Sequence, residues 1–198
     1  MLRTFVLADF ITLGNAASGM GAIMACLRYV ETRDRSAMWV AFGLLPLALI
    51  CDVLDGSVAR WRHKQSPIGA DLDSLADVIS FGVAPAVVGY SLGMRGTWDA
   101  LVLVYFVSCG LSRLARYNVT SASLSDESGK VKYYEGTPIP TSLGLVAALV
   151  VAFVQERVGA NMWFGSVFVL GWECHPLVLM YAVSGSAMIS ATLRIPKP

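Results

Sequence analysis

Charge is scarce in this 198-residue chain: Asp, Glu, Lys and Arg make up 15% of it, against about 25% in ordinary soluble domains. Net charge is also nearly absent, at +1. That leaves no bulk electrostatic attraction toward nucleic acid, and no nucleic-acid partner is expected. Cysteine is sparse. Cys26, Cys51, Cys109 and Cys174 sit in or beside apolar segments without short paired spacing. This argues against a zinc site or a disulfide framework and for small packing residues. The two histidines, His63 and His175, read as surface or packing residues. No linker, low-complexity tract or convincing repeat divides the chain, so residues 1–198 read as a single membrane domain. A typical signal peptide is excluded as well, because Asp9 and Asn15 interrupt the first apolar run.

Apolar sequence is what the chain has in abundance, with 56% hydrophobic residues. A membrane-spanning helix needs roughly 20 mostly apolar residues. Six candidates run over 5–30, 36–54, 70–94, 97–118, 138–156 and 174–193. Met162–Gly171 is too short to span and is read as extending the last helix. The expected fold is an all-α integral membrane protein with six transmembrane helices. Pro46, Pro85 and Pro176 lie inside or near spans, where neighbouring helices can satisfy the freed backbone. Trp39, Trp98, Trp163, Tyr133 and Tyr134 read as interface anchors. With six spans, ten Lys and Arg fall on the side of the termini and five on the other. The positive-inside rule then puts both termini in the cytoplasm. The polar stretch Thr120–Gly136 falls on that side too, as a solvated connection.

The informative residues are acidic. Asp52 and Asp55 are three apart; Asp73 and Asp77 are four apart. On helices each pair shares a face. Gly56 and Ala59 add small residues beside the first pair, Gly69 extends the second face, and Arg60 projects from the same region. Four carboxylates beside apolar helices are costly unless they are paired or bind metal. An oxygen-only set suits Mg2+ or Mn2+. Two such ions would clamp a phosphoryl or diphosphate group, with Arg60 available to a phosphate oxygen. Helix caps and solvated loop carboxylates explain one or two of these residues, Asp71 among them, but explain the set of four poorly.

The full spacing is Asp52-x2-Asp55-Gly56-x2-Ala59-Arg60-x8-Gly69-x3-Asp73-x3-Asp77. It resembles the signature of the CDP-alcohol phosphotransferases at all eight fixed positions. The resemblance implies that Asp52, Asp55, Asp73 and Asp77 hold two divalent ions and that Asp77 is also the general base. Asp52, Gly56, Ala59, Arg60, Gly69 and Asp73 would form the CDP-lipid site. It also implies a cytoplasm-facing active site and a homodimer or higher homo-oligomer. Two further segments, Arg113-Leu-Ala-Arg116-Tyr117-Asn118 and Glu135-Gly-Thr-Pro138-Ile-Pro140, resemble the phosphatidylserine synthases of that family, the fungal ones most closely. The expected donor is therefore CDP-diacylglycerol and the expected acceptor L-serine. Arg113, Arg116, Tyr117, Asn118, Glu135 and Asn15 are the candidate serine or phosphate contacts. A eukaryotic member would sit in the endoplasmic reticulum membrane, a prokaryotic one in the plasma membrane. Other acceptors (inositol, glycerol 3-phosphate), an ether-lipid donor, a cation transporter and an inactive scaffold stay open at this point.

Overall fold

A computed structural model of the chain describes residues 6–62, 68–123, 133–190 and 194–196. Helix α1 spans Leu7–Thr32 and α2 Arg35–Arg62. Helix α3, Gly69–Asp77, runs through a π-helical turn, Val78–Val83, into α4, Ala84–Leu92. Helix α5 follows as Thr97–Ser123. Strand β1 is Tyr133–Glu135, and a 3-10 turn, Ile139–Ser142, leads into α6, Leu143–Val154. Strands β2, Val167–Val169, and β3, Trp172–Cys174, precede a 3-10 turn, Pro176–Val178, and α7, Leu179–Ile189. Strand β4 is Arg194–Pro196.

Among the described residues, four stretches are long and apolar enough to cross a bilayer: Leu7–Thr32, Arg35–Val58, Gly69–Leu92 and Thr97–Val119. These match the first four expected spans. Ile139–Val154 and Pro176–Ile189 are shorter apolar helices, so the fifth and sixth expected spans are less than the lengths read from the sequence. Large apolar side chains such as Phe10, Met24, Leu27, Val40, Ile50, Val104 and Val183 point outward. On helices of this length such a belt suits lipid, and the chain is an integral membrane protein.

The expectation that Met162–Gly171 extends the last helix is wrong. The segment turns and then forms β2, which pairs antiparallel with β3. Phe164, Gly165, Leu170 and Gly171 all have positive φ, which a right-handed helix excludes. Positive φ at the adjacent pair Leu170–Gly171 gives a two-residue hairpin turn of the primed type. The fold is thus helical with two short ribbons, β2–β3 and β1–β4, rather than purely α.

Apolar burial drives little between helices in lipid, so close packing of small residues has to hold them together. Helix α1 packs along α2 and also meets α3, the π turn and α4; α5 packs along α7. At Gly185 of α7 a Cβ would stand 3.3 Å from the backbone of Phe106 on α5, so this glycine sets that approach. Phe106 meets Tyr181 edge-on at 5.2 Å, and the Tyr181 hydroxyl donates to the Pro85 carbonyl at 2.7 Å. At one end of the bundle Tyr29, Trp39, Phe42 and Phe153 form an edge-to-face cluster. There Asp34 starts α2, accepting from the hydroxyl and the N–H of Ser36 at 2.6 and 2.9 Å. Those bonds hold the Asp34 carboxyl below the usual carboxylate range.

Candidate active site

Three elements converge at the other end. Asp52 and Asp55 lie near the C-terminal end of α2, and Asp73 and Asp77 lie on α3. The intervals of three and four keep each pair on one face, as the spacing requires. Carboxylate oxygens from Asp52, Asp55 and Asp73 all lie within 4.8 Å of one another. Asp77 is buried one turn on from Asp73. Four carboxyls this close repel unless protons or cations lie between them.

Helix α1 supplies the second layer. Thr12 Oγ1 lies 2.6 Å from Asp55 Oδ2 and 3.1 Å from the Ala8 carbonyl. A hydroxyl has one proton to give, and the shorter, charge-assisted bond to Asp55 takes it. One turn on, Asn15 Nδ2 donates to Asp77 Oδ1 at 3.2 Å. The Asn15 backbone carbonyl in turn accepts from the Ser80 hydroxyl at 2.9 Å. Ser80 sits in the π turn directly after Asp77. That turn has a covalent cause: Pro85 has no N–H to give to Phe81, and the ladder shifts so that Ala84 N–H reaches Ile79. Gly19 allows the close approach, since a Cβ there would stand 2.8 Å from the Ser80 Cα.

The residues present fit a hard divalent cation. The donor set is all oxygen, and Asp73 Oδ1 is buried with no hydrogen-bond partner among the described residues. Mg2+ holds oxygens at about 2.1 Å, which places opposite ligands about 4.2 Å apart. Three oxygens within 4.8 Å of one another lie close to the span of such a ligand set.

The remaining expected residues divide into groups. Gly56 faces open space, with nothing within 4 Å of a Cβ built there. Gly69 opens α3. Asn118, at the far end of α5, exchanges hydrogen bonds with Ser74 at 3.0 and 3.2 Å, so it reaches the residue next to Asp73. Arg113 is buried, and Arg116 donates to the Ile189 carbonyl at the end of α7 at 3.2 Å. Tyr117 is exposed. Ala59 and Arg60 continue α2, and Glu135 lies in β1; their side chains lie outside the described residues, as does His63. Asn15 was expected to touch substrate, and the structure places its amide on Asp77. Thr12, Ser74 and Ser80 were missed. A signal for Thr12 existed: Asp9, Thr12, Asn15 and Ser18 recur every three residues through an otherwise apolar helix, and all four are buried.

The profile for CDP-alcohol phosphatidyltransferase matches residues 5–180. The chain belongs to that family. Among its relatives, the CDP-diacylglycerol–serine O-phosphatidyltransferase of Saccharomyces cerevisiae is 43% identical over 204 residues, covering 100% of this chain and 73% of the yeast protein. The enzyme of the same name from Mycobacterium tuberculosis is 32% identical, covering 92% of this chain and 60% of its own length. Archaetidylserine synthase of Methanothermobacter thermautotrophicus is 33% identical, covering 83% and 66%.

Proposed function

We propose that this family member is a CDP-diacylglycerol–serine O-phosphatidyltransferase, moving the phosphatidyl group of CDP-diacylglycerol onto L-serine and releasing CMP. The observation that carries the reading is the meeting of Asp52, Asp55 and Asp73 within 4.8 Å, with Asp77 beside them. Serine as acceptor is supported by the names of the three relatives, which all carry serine, two with diacylglycerol and one with an archaetidyl lipid.

In this reading Asp77 takes the proton of the serine hydroxyl, and the Asn15 amide fixes which of its oxygens does so. The freed oxygen attacks the lipid-side phosphorus in line as the bond to CMP breaks. Asp52, Asp55, Asp73 and Asp77 would hold two Mg2+ or Mn2+ ions, which would supply charge neutralisation of the diphosphate. Thr12 holds Asp55 in its ligating orientation. Gly56 and Ala59 leave room for the cytidine nucleotide, with Arg60 and Gly69 beside it. Arg113, Arg116, Tyr117, Asn118 and Glu135 line the acceptor side, where an arginine fork suits the serine carboxylate.

All six apolar helices cross the membrane, with both termini and the aspartates in the cytoplasm, following the ten-to-five distribution of Lys and Arg. Residues 1–198 form one membrane domain that works as a homodimer, in the endoplasmic reticulum of a eukaryote or the plasma membrane of a prokaryote.

The test is CMP release by the purified chain in detergent. CDP-diacylglycerol and Mg2+ or Mn2+ are supplied, and L-serine, inositol or glycerol 3-phosphate is added singly. Release is expected with serine alone and is expected to stop with a chelator. Release with another alcohol instead would discard serine and keep the family chemistry. A parallel arm with a CDP-linked ether lipid decides the donor.

A further inference from the structure

The proposed reaction uses one end of the bundle; the other end has a polar cavity of about 350 Å3. It opens where the α1–α2, α4–α5 and α6–α7 connections meet, lined by Arg33, Arg95, Glu173 and His175 among others. Asp52 stands 17 residues along α2 from Arg35, which at 1.5 Å per residue puts the aspartates about 25 Å away.

The wall is built on a fully buried carboxylate. Asp99 is 0% exposed. It accepts from Gly96 N–H at 2.9 Å, closing the start of α5, and from His175 N–H at 2.8 Å. His175 Nδ1 lies 2.6 Å from the same carboxylate. A carboxylate only accepts, so Nδ1 carries the proton. That fixes the ring against the cavity wall, with Glu173 Oε1 4.0 Å from Nε2.

The two cavity arginines have no ion pair among the described residues. Arg35 nearby does, with Glu156 at 3.2 Å. Instead Arg33 lies over the Tyr29 ring at 6.0 Å, and Arg95 lies over Tyr90 at 5.5 Å while its Nε donates to the Tyr90 carbonyl. Those contacts leave the outer nitrogens of both guanidinium groups to a ligand. Such forks match phosphate oxygens. Trp98 and Trp172 pack at 5.9 Å on the same end, the arrangement of residues at headgroup depth. Glu173 offsets one of the two positive charges.

We propose that this cavity is a second, non-catalytic site for a phosphate group, held by Arg33 and Arg95. The group is either the phosphate of a phospholipid headgroup or a free phosphate ion.

The test uses the full chain in a maltoside detergent with a chelator present, so that the aspartate site does not compete. Thermal unfolding is followed against dihexanoyl phosphatidylcholine in one arm and inorganic phosphate at constant ionic strength in the other. A saturable rise in Tm is expected for the unaltered chain in at least one arm. The lipid arm alone assigns the headgroup; the phosphate arm assigns the free ion. In the double variant Arg33→Gln/Arg95→Gln the midpoint is expected to move at least about tenfold, while Arg28→Gln, at the same end, leaves it unchanged. Metal-dependent CMP release is expected to stay unaltered in both, separating this site from the catalytic one. No saturable response in either arm, or an equal response in the double variant, overturns the proposal.

Discussion

At the scale of single residues, the site depends on carboxylates that α1 holds in place. Asp77→Asn keeps the shape and removes the proposed base, so CMP release is expected to fall by about 10²- to 10⁴-fold while CDP-diacylglycerol still binds. Activity near that of the unaltered enzyme would remove Asp77 as the proton acceptor. Thr12 makes a subtler prediction. Outer partners of ligating side chains typically contribute about 10- to 100-fold in metal affinity. Thr12→Val, which keeps the volume and deletes the 2.6 Å bond to Asp55, should weaken Mn2+ binding by that factor. Thr12→Ser should restore it. Titration of the Mn2+ electron paramagnetic resonance signal reads this without turnover, and equal affinities for the Val and Ser variants would make Thr12 a packing residue only.

At the scale of elements, the π turn after Asp77 and the glycine facing it form one device. Pro85 forces the ladder to shift, and the shift brings Ser80 to α1 at Asn15. Gly19→Ala puts a methyl 2.8 Å from the Ser80 Cα. The overpacking should cost about 1–3 kcal/mol and separate Asn15 from Asp77. The expected result is a lower Tm together with a loss of CMP release greater than in Gly43→Ala, where a Cβ meets nothing within 4 Å. The start of α2 carries a pH dependence. The Asp34 carboxyl is held below its ordinary value by Ser36, so its contribution is present above the unfolded value of about 3.9 and is lost as pH falls through the lower folded value. Asp34→Ala should flatten the acid limb of the Tm–pH profile. An unchanged limb would show that Asp34 caps nothing of consequence.

At the scale of the whole molecule, the proposed topology puts the two ends of the bundle on opposite sides of the membrane. Val119 at the aspartate end is 72% exposed and Phe164 at the other end is 77% exposed. With the four native cysteines replaced by alanine, Val119→Cys should react with a membrane-impermeant maleimide only from the cytoplasmic side. Phe164→Cys should react only from the opposite side. Labelling of both from one side would overturn the six-crossing topology.

What the sequence by itself determined is local. Composition excluded a soluble domain, run length marked the four long helices, and intervals of three and four put Asp52 with Asp55 and Asp73 with Asp77. These follow from helix periodicity and bilayer thickness, which act over a few turns of one segment. The hairpin at Val167–Cys174 was hidden because a short apolar run does not distinguish a strand from a helix end; the positive φ values at Leu170 and Gly171 decided it. Only the tertiary structure brought α1 against both acidic pairs. Thr12 and Asn15 lie 43 and 62 residues from the carboxylates they bind, and no local rule links positions so far apart. The same holds for Asp99 and His175, separated by 76 residues. Buried polar groups must find partners wherever the packing puts them, and it was packing across the bundle that chose which ones.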